Sequence, residues 1–424
     1  MRHLVAIPAL WASLLTLWAN PPDLQISTGK FKDGIFPEHE ALSFRLTLTN
    51  RSTENLKANI SWEITTDEKI PVASRTEIQT LNGKQTISRD FECRVQSPGF
   101  YRVKISCSTK TGTLSRSMQV GYAPNKILPP LTGRPDFRKF WENTRRQLDE
   151  VPPAFKLLHR ADLSKGKLNV YEVRMRSLDA VRVGGWYEIP KTPGPHPAIL
   201  RVPGYGQNMK PIARFNDMAI LSFNVRGHGN SQQDIAGKPQ DYWIRELDDK
   251  EKYYYRGAYM DCIRAMDFLS SRKEIDPKRI AVIGGSQGGG LSLATAAMDR
   301  RVSLCAPSVP FLTNWEKYFK TSHWPEMNRW IAAEDHRTWN TTLATLSYFD
   351  TMNMASRVHC PVFMGVGLQD SICPPSTNFA VYNRIRGAKQ YRVYPQANHS
   401  LGPQHHKLVF DWIRAKFDLA PAGG

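Results

Sequence analysis

The sequence predicts an α/β fold, with a mostly parallel, doubly wound sheet, preceded by a small all-β sandwich. Between residues 41 and 120 apolar and polar residues alternate with period two, and after residue 135 apolar strand-like runs alternate with helical ones. Period two is typical of strands with one buried face, whereas alternating strands and helices form parallel sheets covered on both faces. A chain of 424 residues is long enough for two such domains.

The composition is that of a globular protein, with 41% hydrophobic and 23% charged residues. The formal net charge of +18 indicates either affinity for anionic surfaces or simply a solvated basic surface. The basic residues are dispersed and no nucleic-acid-binding motif accompanies them, so nucleic acid is not an expected partner.

The N-terminus has the pattern of a secretory signal peptide. Arg2 and His3 precede an apolar run over residues 4–17, and the small residue Ala19 is followed by polar Asn20. We therefore expect residues 1–19 to be removed and the protein to be secreted or periplasmic; a buried helix or a membrane anchor is the alternative. The run is short for a bilayer span, and no other segment is expected to cross a membrane.

Residues 23–122 are predicted to form an immunoglobulin-like sandwich. Apolar residues recur at every second position, for example Leu42, Phe44, Leu46 and Leu48. A turn at Ser97-Pro98-Gly99 would place Cys93 opposite about position 104 rather than Cys107, so no disulfide is expected between these two core-facing cysteines. This segment offers no nucleophile–base pair, and we interpret it as an accessory module.

Residues 123–135 contain four prolines and a glycine and are predicted to be a linker. Residues 136–424 form the predicted catalytic domain. Its predicted strands are Ala198–Val202, Ala219–Asn224, Ile280–Ile283, Val362–Val366 and Gln390–Tyr394, with a helical pattern over residues 258–269. The six cysteines have no metal-ligand spacing, so neither a metal nor another cofactor is expected.

The strongest functional signal is Gly284-Gly285-Ser286-Gln287-Gly288, between an apolar strand and a small-residue helix over residues 289–297. A nucleophile at a sharp strand-to-helix turn needs tiny neighbours two residues away, because strand and helix nearly touch there. The helix N-terminus supplies amide hydrogens to an oxyanion. In this context the motif predicts the α/β-hydrolase fold with Ser286 as the catalytic nucleophile.

The remaining catalytic groups are predicted from chain order, which in this fold is serine, acid, histidine. Asp370 follows the strand that begins at Val362, and His399 lies in the loop after the next strand. A serine hydroxyl needs such a base, held by a carboxylate. Asp350 and Asp411 are the rival acids, and their positions in the chain favour structural roles. The rival histidines are His405 and His406, which lie too far into the last helix to be favoured, and His228.

The oxyanion hole is predicted at the backbone amides of Tyr205 and Gln287. Tyr205 lies in Pro203-Gly204-Tyr205-Gly206, directly after an early strand, where this fold places its second donor. A plain glycine turn is the alternative.

An aromatic-rich insertion between Pro307 and Met352 is expected to cover the mouth of the site. Its aromatic side chains either stack on sugar rings and line an acyl pocket, or form the core of the cap itself. They are Phe311, Trp315, Tyr318, Phe319, Trp324, Trp330 and Trp339.

With these residues in view, the region from Pro135 to the C-terminus resembles the acetyl xylan esterase/cephalosporin C deacetylase family, carbohydrate esterase family 7. The likeness covers residues 137–141 and 253–257, the Gly284–Gly289 elbow, and Gly367-Leu368-Gln369-Asp370 followed by Cys373-Pro374-Pro375-Ser376-Thr377. The resemblance implies deacetylation of an acetylated oligo- or polysaccharide or a small acetyl ester, an oxyanion hole at Tyr205 and Gln287, and a possible homo-oligomer.

Two motifs depart from the family pattern. The family's Arg-Gly-Gln is Arg226-Gly227-His228 here, and its His-Glu pair is His399-Ser400. The predicted triad is intact, so the sequence favours a secreted serine esterase that removes acetyl groups from carbohydrates. The alternatives are a carboxylesterase or thioesterase for non-sugar acyl groups on the same fold, and a non-catalytic binding protein on a hydrolase scaffold.

Overall fold

The computed structural model describes residues 21–237 and 241–420, so the predicted signal peptide, residues 1–19, lies outside the described residues. The chain divides into two compact units. The first contains the described residues up to 32 together with 39–96 and 101–120, and the second contains 33–38, 97–100 and the chain from 121 onwards.

Between residues 21 and 122 the structure describes eight strands, which form two sheets. The three-stranded sheet has the order β1-β3-β6, and the five-stranded sheet has the order β2-β8-β7-β4-β5. Alternate residues of the third strand, from Leu42 to Leu48, are buried as the period-two pattern predicts. The strands are β1 (Asp23–Ser27), β2 (Ile35–Phe36), β3 (Leu42–Thr49), β4 (Leu56–Thr66), β5 (Pro71–Leu81), β6 (Thr86–Cys93), β7 (Gly99–Thr109) and β8 (Gly112–Tyr122).

The hairpin expected around Ser97-Pro98-Gly99 does not form. Cys93 in β6 pairs with Leu42 of the three-stranded sheet, whereas Cys107 in β7 pairs with Ile60 of the five-stranded sheet. The chain therefore crosses between sheets at this turn, and the predicted pairing of Cys93 with a residue near position 104 is wrong. Cys107 is buried but Cys93 is only partly so, and all six cysteines are free thiols.

The proline-rich stretch predicted to be a linker, residues 123–135, is part of the second unit. The side chain of Asn383 donates to the carbonyl oxygens of Pro124 at 2.8 Å and Ile127 at 2.9 Å. Asn353 accepts from the backbone N–H of Thr132 at 3.1 Å. Side chains of α7 and α8 therefore bind two backbone carbonyl oxygens and one backbone N–H group of this stretch.

The second unit contains the predicted mostly parallel sheet, which is confirmed. Nine strands have the order β17-β16-β15-β14-β12-β13-β11-β10-β9, and the six from β17 to β13 are parallel. The three strands at the other edge are antiparallel. The strands are β9 (Lys156–His159), β10 (Leu168–Arg176), β11 (Arg182–Pro190), β12 (His196–Arg201), β13 (Ala219–Asn224), β14 (Ile275–Gly285), β15 (Leu304–Ser308), β16 (Val362–Gly367) and β17 (Lys389–Tyr394).

Helices cover both faces of this sheet. Along β12, Ala198 and Leu200 pack into one hydrophobic cluster while Ile199 packs into the other, which the last helix completes with Val409 and Ile413. In the part of the chain that the structure describes, no helix combines the length and apolarity needed to cross a bilayer. The helices are α1 (Phe137–Asp149), α2 (Tyr254–Ser270), α3 (Gln287–Met298), α4 (Trp315–Thr321), α5 (Pro325–Ala332), α6 (Trp339–Leu346), α7 (Thr351–Met354), α8 (Pro375–Arg384) and α9 (Gly402–Lys416).

The turn from β14 into α3 is as tight as its glycines predict. Ser286 has φ 57° and ψ −122°, and α3 begins directly after it, two residues earlier than the pattern indicated. A Cβ on Gly284 would lie 2.5 Å from the backbone of Gly288, and a Cβ on Gly288 would lie 2.6 Å from the carbonyl oxygen of Val202. Both distances are far below van der Waals contact, so these two positions admit only glycine.

We predict that Gly284→Ala destabilises the protein by about 1–3 kcal/mol or more, because the methyl group must displace backbone rather than a flexible side chain. Gly285→Ala is the matched control, since its Cβ would lie 3.9 Å from the carbonyl oxygen of Ser308. The free energies of unfolding, measured by chemical denaturation, test this. Equal stability of the two variants would mean that β14 and α3 are not in close contact at this turn.

Candidate active site

A cavity of about 770 Å³ opens at the carboxyl ends of the parallel strands. Tyr205, Ser286 and His399, three of the five predicted site residues, line it together. Ser286 follows β14, Tyr205 follows β12 and His399 follows β17. Open parallel sheets bind their ligands at this end of the strands, where successive loops converge.

Asp370 is buried behind His399 and hydrogen-bonds to it. The Nδ1–H of His399 donates to Oδ2 of Asp370 at 2.9 Å. The other carboxylate oxygen, Oδ1, accepts from the backbone N–H groups of Ile372 at 2.8 Å and Cys373 at 2.9 Å. These three bonds fix the carboxylate and leave Nε2 of the imidazole as the free nitrogen.

The backbone of Ser286 is held from both sides of the turn. Its N–H donates to the carbonyl oxygen of Ser308 at 2.9 Å, and its own carbonyl oxygen accepts from the N–H groups of Gly289, Gly290 and Phe311. The hydroxyl Oγ lies 4.0 Å from Sγ of Cys373. Among the described residues Ser286 and His399 share the cavity without a direct hydrogen bond; such bonds are often long before substrate binds.

The two predicted oxyanion donors belong to the two segments that meet at this turn. Gln287 is the first residue of α3, so its N–H has no acceptor within the helix. Tyr205 lies in a turn closed by the N–H of Gln207, which donates to the carbonyl oxygen of Gly204 at 3.1 Å. The side chain of Gln287 joins the segments, because its Nε2 donates to the carbonyl oxygen of Pro203 at 3.4 Å.

Tyr255 and His228 hold the side chain of Gln287, and the sequence did not predict this role for either residue. The hydroxyl of Tyr255 donates to Oε1 of Gln287 at 2.9 Å, and Nε2 of His228 lies 3.3 Å from its Nε2. Burial lowers the pKa of His228, so the ring is neutral and Nε2 accepts from the amide. Nδ1 then carries the proton, 3.3 Å from the carbonyl oxygen of Arg226. His228, which replaces the glutamine of the family's Arg-Gly-Gln motif, therefore binds the side chain of Gln287, the residue after Ser286.

The rival acids have other partners. Asp350 is buried and accepts from the backbone N–H groups of Asn314, Trp315 and Met352 at 2.8–3.0 Å, and burial raises its pKa to about 6. It closes the start of α4 and of α7. Asp411 forms a partly exposed ion pair with Lys407 in α9.

Two of the rival histidines, His405 and His406, line the same cavity without contacting Ser286, whereas the third, His228, contacts Gln287. Nε2 of His405 lies 2.7 Å from Oγ of Ser308, and its Nδ1 lies 3.0 Å from the hydroxyl of Tyr394. Burial, together with the neighbouring His406, lowers the pKa of His405 to about 4, which makes it a weak base at neutral pH. His406, the fifth residue of α9, is exposed.

The aromatic insertion lines the cavity with some of its side chains and forms a core of its own with others. Phe311, Tyr318 and Trp324 line the cavity, where Trp324 also packs against Trp243 at 4.8 Å between ring centroids. The other aromatic rings pack on one another, as in the stacked pair of Trp315 and Phe319 at 5.7 Å. One layer of the insertion therefore faces the cavity and the next forms its core.

Side-chain atoms of Asp370, Cys373 and His399 lie within 4.8 Å of one another, which is compatible with metal-ligand spacing. Two of these three groups are already hydrogen-bonded to each other, because Nδ1 of His399 donates to Asp370.

Comparison with known proteins supports the same family. Over residues 125–416 the chain matches the family model described as acetyl xylan esterase (AXE1). It is 28% identical to acetyl esterase Axe7A of Xylanibacter ruminicola over 372 residues, which cover 84% of this chain and 82% of that protein.

Two solved structures are similar in fold to this chain. The acetyl xylan esterase from Paenibacillus sp. R4 is 35% identical, with a TM-score of 0.64, and the match covers 69% of this chain and 98% of that one. Acetyl xylan esterase 1 from Thermoanaerobacterium sp. JW/SL YS485 is 28% identical, with a TM-score of 0.63, over 68% of this chain and 96% of that one. The chain described here belongs to the acetyl xylan esterase (AXE1) family of α/β-hydrolase-fold carboxylic ester hydrolases.

Proposed function

We propose that this protein removes acetyl groups from acetylated carbohydrates, with Ser286 as nucleophile, His399 as general base and Asp370 as the residue that orients it. The observation that carries the proposal is the hydrogen bond from His399 Nδ1 to buried Asp370, beside a cavity that His399 shares with Ser286. The family and the aromatic lining of the cavity favour an acetylated sugar over other esters.

The reaction proceeds in two half-reactions. Nε2 of His399 accepts the proton of Ser286 as Oγ attacks the acetyl carbonyl carbon, and the N–H groups of Tyr205 and Gln287 stabilise the oxyanion. The imidazolium, stabilised by Asp370, then donates its proton to the sugar oxygen as the ester C–O bond breaks. Water, deprotonated by Nε2 of His399, attacks the carbonyl carbon of the acetyl-enzyme. The imidazolium then returns this proton to Oγ of Ser286 as the bond between Oγ and the acetyl carbon breaks and acetate leaves.

We predict that Asp370→Asn lowers kcat by about 10⁴-fold, because an amide no longer selects the histidine tautomer that accepts the serine proton. Asp350→Asn is the matched control, since it also removes a buried carboxylate that is bound by backbone N–H groups. We expect it to keep kcat within a few-fold and to lose about 1–3 kcal/mol of stability, because its NH₂ group opposes a backbone donor. A folded, inactive Asp350→Asn beside an active Asp370→Asn would contradict the assignment.

We further predict that kcat/KM for acetyl esters exceeds that for butyryl esters by about tenfold or more. Longer acyl chains must displace the aromatic side chains packed beside Ser286, at about 1–3 kcal/mol, and 1.4 kcal/mol corresponds to a factor of ten. The measurement compares acetyl, butyryl and octanoyl p-nitrophenyl esters, together with acetylated xylo-oligosaccharides. A maximum at octanoyl, with no turnover of the acetylated sugars, would favour a carboxylesterase or thioesterase for non-sugar acyl groups.

A further inference from the structure

Six of the residues that line the cavity containing Ser286 come from the end of β12, the loop after β12, and α9. We call this part of the lining the basic arm, and its residues are Arg201, Met209, Ile212, Arg214, His406 and Phe410. Arg201 pairs with Ile283 of β14, three residues before Ser286. With the usual strand dimensions, the backbone of Arg201 lies on the order of 10 Å from that of Ser286. The basic arm is thus within reach of a substrate whose ester group lies at Ser286.

Arg201 brings a positive charge into the basic arm, and its hydrogen-bond acceptors are neutral. Its guanidinium donates to Oγ of Ser222 at 2.7 Å and to the carbonyl oxygen of Lys210 at 3.4 Å. Glu188 attracts it electrostatically without a hydrogen bond, because the oxygens of Glu188 accept from the backbone N–H groups of Ile212 and Ala213. Burial lowers the pKa of Arg201, and the attraction of Glu188 opposes this shift.

Arg214 is held by aromatic rings rather than by an acid. Its guanidinium carbon lies 5.3 Å from the ring centroid of Phe410 and 5.5 Å from that of Phe215. Neither Arg201 nor Arg214 forms an ion pair with a carboxylate in the described ranges 21–237 and 241–420. Stacking fixes the plane of a guanidinium and leaves its N–H groups available to a ligand.

The remaining residues of the basic arm add no negative charge. Met209, Ile212 and Phe410 are apolar, and His406 is the fifth residue of α9. Partial desolvation and repulsion from Arg201 and Arg214 lower the pKa of His406, so its ring is neutral at neutral pH and lies within electrostatic range of both arginines. No aspartate or glutamate belongs to the described lining of the whole cavity. A cavity with one sign of charge concentrates ligands of the opposite sign.

We propose that the basic arm binds a carboxylate on the alcohol part of the substrate, so that the preferred substrates are acetyl esters of oligosaccharides bearing an acidic sugar, a uronic acid. This inference rests on the proposed function and adds the substrate class. Guanidinium groups match carboxylates through paired N–H donors, and a partly desolvated pair is stronger than one in open water.

The test compares an acetylated xylo-oligosaccharide that carries a uronic acid with its methyl ester, in which the carboxylate is neutral and the acetyl group is unchanged. We expect the wild-type enzyme to favour the acid over the methyl ester by about tenfold or more in kcat/KM. Arg214→Gln should reduce this ratio to about threefold or less, and Arg201→Gln should do the same. The ratio within one protein cancels any general loss of active enzyme.

Arg138→Gln is the matched control, because Arg138 is an exposed arginine of α1 and lies outside the cavity lining. It removes the same charge and should leave the ratio unchanged; an equal fall in Arg138→Gln and Arg214→Gln would overturn the proposal in favour of a diffuse surface effect. If Arg201→Gln does not fold, exposed Arg214 carries the test alone.

Binding to Ser286→Ala, measured by calorimetry, separates this inference from the proposed function. Tighter binding of the acid than of the methyl ester supports the basic arm even if turnover is slow. Equal binding, together with equal hydrolysis of both compounds by the wild-type enzyme, would overturn the basic arm and leave the acetylesterase intact. Failure of the wild-type enzyme to hydrolyse either acetyl ester would instead reject the proposed function.

Discussion

The close contact between β14 and α3 is the constraint on which the site depends. Ser286 adopts a positive φ that costs a non-glycine residue of the order of 1–3 kcal/mol, and it persists because the surrounding structure holds it. One hydrogen bond fixes its N–H to Ser308, and three N–H groups converge on its carbonyl oxygen. The same turn presents the side chain to the cavity and starts a helix with the N–H of Gln287. A wider turn would lose both.

A second layer of buried polar contacts holds this turn in register with the rest of the sheet. Tyrosines at the start of α2 each reach a different segment: Tyr254 donates to the carbonyl oxygen of Arg226, and Tyr255 to the side chain of Gln287. Arg226 is itself held by Asp261 through paired hydrogen bonds at 2.8 and 2.9 Å. Removing one member of such a network leaves a buried polar group unpaired, so each segment constrains the others.

The features predicted correctly from the sequence are those encoded in local spacing. Strand β13, over residues 219–224, has the predicted bounds. Strand β16, which leads to Asp370, ends one residue later than predicted. The glycines at positions 284 and 288 predicted a close approach of strand and helix. In the structure a Cβ added to Gly284 would lie 2.5 Å from the backbone of Gly288, and a Cβ added to Gly288 would lie 2.6 Å from the carbonyl oxygen of Val202. Chain order pointed to Asp370 and His399, which prove to be hydrogen-bonded.

What the sequence did not reveal depends on contacts between distant segments. Nothing near Ser97 shows that the chain crosses to another sheet there, and nothing near His228 shows that its ring meets Gln287, 59 positions away. The basic arm joins residues of β12, the following loop and α9, which no spacing in the sequence connects.

The central claim, that Ser286 is the nucleophile, is tested most directly by labelling the enzyme with a fluorophosphonate and mapping the modified peptide by mass spectrometry. The account predicts one label per chain, on Ser286, with loss of activity in proportion; stoichiometric labelling of Ser308 or another residue, with Ser286 unmodified, would contradict it.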